Sequence, residues 1–517
     1  MSGDPAAALI DRSKDPETNL TPLSNDTLLR LGPAVAIPGY DRAALRSGFV
    51  HFGVGNFHRV HLAVYVDRCV AGEAASQWGI CGVEIVDTPA NRAKAAAYAA
   101  QDGLYTVTES APDGTVRTRV IGAMTAYLHA PTDPEAVLQR LASPDTHIVS
   151  LTITEGGYNL AEASGEFDLD HPDVRSDLSG APPRTVFGFV VEGLRRRRAA
   201  GLNPFTIMSC DNLRHNGDTA RKAIVGYARA LDADLACWID AKAAFPNSMV
   251  DRIAPQVPDA VRLSLNAQSG VEDLVPALCE DFMQFVLEDE FSDGRPNLEA
   301  AGVEIRDDVG AFEVMKQRVL NASHMMLGYP GLLMGYRVVH EAMTDSRLHG
   351  HLDAFCERDV IPHLEAPRGV SVSAYKTKVL ARFANPAIGD QLQRLCMLGW
   401  AKFPVYHGRI LRTLLETGGD TRREAFFLAC VERYLAGIDD RGQRFVVDEP
   451  HVSAEEWEAI RGDDPVGFLR GSPFAPLGLS EHAEFSRQFV SFRQQLAKDG
   501  CAITLERLLA DTDAARR

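Results

Sequence analysis

The sequence predicts an α/β protein in two parts, an N-terminal domain on a parallel sheet followed by a mainly α-helical C-terminal domain. Three observations carry this reading. Short apolar, β-branched runs alternate with helical periods through the first part of the chain. A glycine turn follows the first of these runs and opens a helix, as in a Rossmann-like dinucleotide fold. From about residue 307 the strand signals nearly vanish and long helical periods take over.

Residues 1–45 read as a lead-in in which Pro, Asp and Ser break any period. Val50 to Phe52 is the first strand signal, followed by Gly53-Val54-Gly55 and a helical pattern to about Cys69. Further strands are expected at 79–86, 147–154 and 204–210, with helices such as 91–101 and 133–141 between them. Strands alternating with helices imply a parallel sheet covered on both faces. Residues 46–303 are therefore assigned to this Rossmann-like sheet domain and 304–517 to the mainly helical one. Its helices are expected at 311–327, 332–344, 349–365, 373–384, 387–400 and 421–436. The four arginines 195–198 end a helix-like run, where cations complement the helix dipole.

Length and composition suit a globular protein with a sizeable core. The 517 residues are 45% hydrophobic and 24% charged, and the net charge of −17 argues against a nucleic-acid or anionic-membrane partner. No apolar run is long enough to span a bilayer. Asp4, Asp11, Asp15 and Glu17 are at odds with a secretory signal between Met1 and Leu20. The nine cysteines are scattered without a CxxC pair, so neither a disulfide framework nor a cysteine zinc cluster is expected. A cytoplasmic location follows as the expectation.

The Gly53-x-Gly55 turn can cradle a pyrophosphate, because glycine permits the tight turn and the helix start offers free N–H groups. The usual third glycine is replaced by His58, and Asp87, a candidate ribose carboxylate, lies 34 residues past Gly53. A plain helix-starting turn and a solvated aspartate remain the alternative. A second constellation lies in MKQRVLNASHMM (315–326). At about 100° per residue, His324 falls about 80° and Asn321 about 140° from Lys316, with Glu313 about 60° away. All four share one side of a helix, either as a buried polar sector that needs partners or as a solvent face.

Cys210-Asp211-Asn212 follows a strand, where ligands gather in open α/β sheets. Phe245 to Arg252 also reads as a loop, and the plain alternatives for the two segments are an Asx turn and a capped helix start. Arg394 and Lys402 stand eight residues apart, near 80° on a continuous helix that Gly399 can interrupt. No tyrosine is followed by lysine four positions later, and neither a GxSxG elbow nor a GxxxxGK[ST] loop is present. His58 and His61 have metal-ligand spacing but no matching cluster, so no metal is expected.

Taken in order, seven segments resemble the mannitol dehydrogenase family of polyol-specific long-chain dehydrogenases/reductases. They are HFGVGNFHRVHLAVYVD (51–67), THIVSLTITEGGYN (146–159), PFTIMSCDNLRHNG (204–217), PNSMVDRIAP (246–255), FVLEDEFSDGRP (285–296), KQRVLNASHMMLGYPGLLMGY (316–336) and RFANPAIGDQLQRLCMLGWAKFP (382–404). The resemblance implies metal-independent interconversion of a polyol and a ketose, such as D-mannitol and D-fructose, with NAD in preference to NADP. By the same resemblance, Lys316 is the general acid/base, and Asn212 and Asn321 hold the reacting oxygen. His324 positions substrate, Asp251 lies beside the site, Arg394 and Lys402 meet distal hydroxyls, and Glu313 is associated with proton passage. Gly53, Val54, Gly55, Asn56, Phe57, His58 and Arg59 form the cofactor loop, and a monomer is implied. Trp400 stands where the family has a small residue and is expected to narrow the substrate pocket or stack on it.

The chemistry sets a requirement on the lysine. A free amine with a pKa near 10.4 is only about 0.4% neutral at pH 8. Lowering that pKa by two units gives about 30%, a differential destabilisation of roughly 2.7 kcal/mol. Burial and neighbouring positive charge act in that direction. Rival readings are a D-arabinitol dehydrogenase, a fructuronate/mannonate oxidoreductase and, from another class, a non-catalytic dinucleotide sensor.

Overall fold

A computed structural model describes residues 20–72, 77–161 and 165–514. The four acidic residues of the extreme N-terminus lie outside the described residues. The chain divides into two compact units, residues 1–310 and 311–517.

The N-terminal unit is organised by a five-stranded sheet. Its strands are β1 (Phe49–Phe52), β2 (Ile80–Glu84), β3 (Met124–His129), β4 (Ile148–Leu151) and β5 (Thr206–Ser209). They run parallel in the order β3-β2-β1-β4-β5. Side chains alternate between faces with period two. Val50 and Phe52 join an apolar cluster with Leu138, Phe189 and Ile224, while Phe49 joins another with Leu62, Tyr65 and Phe285. β1, β2, β4 and β5 are buried along their whole length, which is why they read as near-continuous apolar runs. β3 is an edge strand, half-buried after Met124, and carries neither a continuous run nor a clean alternation. Its sequence gave no strand signal.

Three further features depart from expectation. The unit is not purely parallel, since Tyr105–Ser110 runs antiparallel to Val116–Ile121. The segment read as a loop around Asn247 is instead a strand, β6 (Ser248–Asp251), antiparallel to β7 (Gln284–Leu287). The lead-in is not loose over its described part: Thr21–Pro22 pairs with Val271–Glu272, and Leu23 and Val35 are buried. The arginine run ends the helix Val186–Ala199, where Arg197 turns inward and donates to the carbonyls of Asn203 and Ser143.

The C-terminal unit is helical and has no β-strand among its described residues, only isolated bridges. Two of its helical runs widen into π turns, at Lys316–Asn321 and Cys356–Val360. The expected helix at 387–400 is instead two short ones, Leu392–Cys396 and Gly399–Tyr406, broken at Leu398 in the left-handed region (φ 57°). The expected helix at 332–344 shrinks to Val339–Met343, because Gly335 (φ 90°) ends the preceding helix. Among the described residues, no helix is long and apolar enough to cross a membrane.

Candidate active site

In the N-terminal unit, β1 ends at Phe52 and Gly53 turns with φ of 93°. A Cβ at Gly53 would lie 2.0 Å from the Thr152 carbonyl oxygen, so β4 comes too close for any side chain. The Thr152 hydroxyl donates to the Gly53 carbonyl at 2.6 Å, which ties the ends of β1 and β4 together. Gly55 precedes the helix α1 (Asn56–Val60), and a Cβ there would meet only the Gly53 carbonyl oxygen, at an ordinary contact of 3.9 Å. Strand order reverses direction at β1, and the carboxyl ends at such a switch point are where open α/β sheets bind ligands. A bare-backbone turn at this point fits a dinucleotide.

The remaining turn residues serve mostly as scaffold. Val54 is buried, and its carbonyl accepts from Lys94 Nζ at 3.2 Å. Asn56 donates to the Pro255 carbonyl, and Arg59, itself buried, donates to Asn56 and to the Val275 carbonyl. Phe57 stacks on His61, whose Nε2 lies 2.8 Å from the Gln284 carbonyl. His58, in the place of the third glycine, is fully buried and stacked on His51 at 3.5 Å. Burial pushes the His51 ring down to about 3 and His58 well below its ordinary value, so this pair is neutral packing. His58 and His61 face different surroundings. Among the described residues no group of three or more His, Cys, Asp or Glu is placed to hold a metal ion.

Asp87 is half-exposed and ion-paired with Arg92, with His129 Nε2 3.6 Å away. The carboxylate that closes β2 is Glu84, which is buried and receives Lys94 Nζ at 2.9 Å. Sequence reading passed over Glu84, although it ends the apolar run ICGVE. At the ends of β4 and β5, the buried Asp211 carboxylate accepts from the Ile153 and Thr154 amides and from the Tyr158 hydroxyl. Thr154 sits at φ 65°, a strained conformation for a β-branched residue, directly in this junction. Asn212 follows Asp211 and is exposed. Asp251 is the buried last residue of β6, and its neighbour Arg252 forms a buried ion pair with Glu109 at 2.6 Å.

In the C-terminal unit, Glu313, Lys316, Asn321 and His324 follow one another along a single helical run. It passes from Val309–Met315 through the π turn Lys316–Asn321 into α2 (Ala322–Leu333). An i→i+5 ladder holds more residues per turn than an i→i+4 one, so each residue advances by less than the roughly 100° of an α-helix. Asn321 therefore lies closer to the direction of Lys316 than the helical wheel implies. Glu313 is 4% exposed, and Lys316 and Asn321 are each 8% exposed, which excludes the solvent-face alternative. The buried Nδ2 of Asn321 has no hydrogen-bond partner among the described residues. His324 is half-buried and stacks on Phe383 at 4.3 Å.

Arg394 and Lys402 lie on the two separate short helices, so their spacing on a continuous wheel does not apply. Arg394 makes a bidentate pair with Asp390 at 2.7 and 2.5 Å. Trp400 is 4% exposed and packs on Phe468 and Phe474, with its indole N–H donating to Ser472. Aromatic packing fixes this indole two residues before Lys402.

Residues 47–300 match the mannitol dehydrogenase Rossmann domain, and residues 308–496 match the mannitol dehydrogenase C-terminal domain. The chain belongs to the mannitol dehydrogenase family. It is 44% identical over 479 residues to a polyol:NADP oxidoreductase of Gluconobacter oxydans, covering 92% of this chain and 98% of that protein. It is 41% identical over 475 residues to a mannitol 2-dehydrogenase of Phaeosphaeria nodorum, covering 91% and 83% respectively. A solved D-sorbitol dehydrogenase in substrate-free form superposes with a TM-score of 0.88 at 44% identity, covering 93% of this chain and all of that one. The Pseudomonas fluorescens mannitol 2-dehydrogenase in ternary complex with NAD and D-mannitol gives 0.85 at 39% identity, covering 95% and 100%. This family member is an oxidoreductase acting on CH–OH donors, with a dinucleotide-binding Rossmann domain.

Proposed function

We propose that this enzyme interconverts D-mannitol and D-fructose with NAD, without a metal, using Lys316 as the general acid and base. The observation that carries the reading is the buried carboxamide of Asn321, whose Nδ2 has no acceptor among the described residues, one π turn after the buried Lys316. A buried donor left in this way calls for an oxygen, and a substrate oxygen beside a lysine is poised for proton transfer.

Bound at the Gly53–Arg59 turn, the dinucleotide supplies the hydride acceptor. The protein's part is to manage the proton and the oxygen. Lys316, neutral, takes the proton of the C2 hydroxyl; in the reverse direction, as ammonium, it returns one to the carbonyl oxygen. Asn321 and Asn212 donate to that oxygen as negative charge builds on it, and removing one such donor raises a barrier by about 3 kcal/mol. His324, its ring fixed on Phe383, positions the substrate. Asp251 lines the site, Arg394 and Lys402 bind distal hydroxyls, and Glu313 passes the proton outward. The enzyme works as a monomer in the reducing cytoplasm; nine free cysteines suit the reducing compartment.

Asp87 repels a 2′-phosphate and supports NAD. The ion pair it forms with Arg92 favours a second reading, because that guanidinium can instead pair with the 2′-phosphate of NADP. The test is oxidation of NADH and of NADPH with D-fructose, xylulose and fructuronate in separate assays. The proposal expects D-fructose with NADH to be fastest. A faster NADPH reaction selects the Arg92 reading, and preference for fructuronate overturns the polyol assignment.

A further inference from the structure

Ala322 is the residue at which the π turn hands back to a regular helix. Its N–H donates to Gln317 five residues back, and its carbonyl accepts from His407 Nε2 at 3.1 Å. The other ring nitrogen, Nδ1, lies 2.9 and 3.2 Å from the two oxygens of Glu424. His407 and Glu424 are both completely buried. A carbonyl can only accept, so Nε2 carries a proton, and a further proton lies between Nδ1 and the carboxylate. The ring is clamped between aromatic neighbours, stacked on Phe427 at 4.3 Å and flanked by Phe355 and Phe403.

Glu424 belongs to the first turn of α3 (Arg422–Tyr434). Its neighbour Arg423 grips both oxygens of Asp359, at 2.5 Å each, in the second π turn. Ser323, next to Ala322, meets Cys356 of that second turn at 3.3 Å. One turn of one helix thus anchors both π segments through adjacent side chains of opposite charge. Apolar residues of similar volume commonly stabilise a core as well as a buried ion pair does. A polar pair inside a ring of phenylalanines therefore points to control of position.

We propose that His407, oriented by Glu424, is a positioning residue for the reaction. It pins the Ala322 carbonyl and with it the π turn that sets Asn321 against Lys316. The inference rests on the reading of Lys316 and Asn321 given above.

The test uses the full-length enzyme in three forms. His407→Phe keeps an aromatic ring but removes both hydrogen bonds, and His407→Leu/Glu424→Leu makes the pocket wholly apolar should the first variant fail to fold. Glu424→Gln is the conservative rescue, because its amide can donate to Nδ1 while a neutral ring keeps Nε2–H on Ala322. Measured are thermal midpoint, dinucleotide dissociation constant, kcat, KM for D-mannitol and the isotope effect with mannitol deuterated at C2. The first two variants are expected to lose kcat by 10- to 100-fold. Their KM and cofactor affinity should move less than about threefold, with a larger isotope effect as chemistry becomes limiting. Glu424→Gln is expected to retain kcat within about threefold of the parent. A lowered midpoint with kcat and isotope effect unmoved makes the pair merely structural and overturns the inference. Normal turnover of Lys316→Ala instead overturns the reading beneath it, so the two failures are distinguishable.

Discussion

The N-terminal unit offers its candidate residues from turns at the carboxyl ends of parallel strands, whereas the C-terminal unit offers them from the body of one helical run. In the first, the proposed role rests on absence: Gly53 and Gly55 leave bare backbone where β1 and β4 converge. In the second it resides in side chains whose directions depend on a helical ladder widened at Lys316–Asn321. A turn between strands is held by its neighbours' backbones. A π turn has poorer local support and is braced by the buried pairs His407–Glu424 and Arg423–Asp359. The two units should therefore fail in different ways.

The largest effect is expected in the C-terminal unit. Arg423→Ala strands the Asp359 carboxylate in the core and should cost about 3–5 kcal/mol in chemical denaturation. A loss below about 1 kcal/mol, the range of a surface pair, would show that the brace carries no strain from either π turn. In the N-terminal unit, Gly53→Ala forces a left-handed alanine, costing about 1–2 kcal/mol from φ alone, and adds a clash with the Thr152 carbonyl. Cofactor affinity should fall with stability. Gly55→Ala meets only the Gly53 carbonyl oxygen at 3.9 Å, an ordinary contact, so it should leave stability nearly intact and weaken only cofactor binding. Equal destabilisation by both glycine variants would remove the distinction between them.

Acid sharpens the comparison with a smaller, shared effect. Burial lowers both His51 in the first unit and His351 in the second to about 3. A folded-state pKa below the ordinary 6.5 means the unfolded chain binds more protons. This contribution is therefore complete above pH 6.5 and is lost as pH falls toward 3. Denaturant midpoints should drop between pH 7 and pH 5, and constant midpoints across that interval would contradict neutral burial of the two rings.

How much of this was legible in the sequence follows the same division. β1, β2, β4 and β5 announce themselves because strands buried on both faces are written in apolar residues. The glycine turn is visible too, but its spacing alone fits a plain helix-starting turn as well, and the close approach of Thr152 to Gly53 shows only in the structure. β3 is hidden by its edge position, and β6 by the short polar residues Asn247 and Ser248, which resemble a turn. The π turns leave no compositional mark, so a regular wheel places Lys316 and Asn321 on roughly the right side but at the wrong separation. The partners of Trp400, Phe468 and Phe474, lie about 70 residues further along the chain, so its packing could not be read from local pattern.

Turnover of Lys316→Ala with D-mannitol, measured beside its dinucleotide dissociation constant, tests the acid/base role most directly. The expected result is a loss of about 10²- to 10⁴-fold in kcat with cofactor affinity preserved. Turnover near that of the parent enzyme at neutral pH would contradict it.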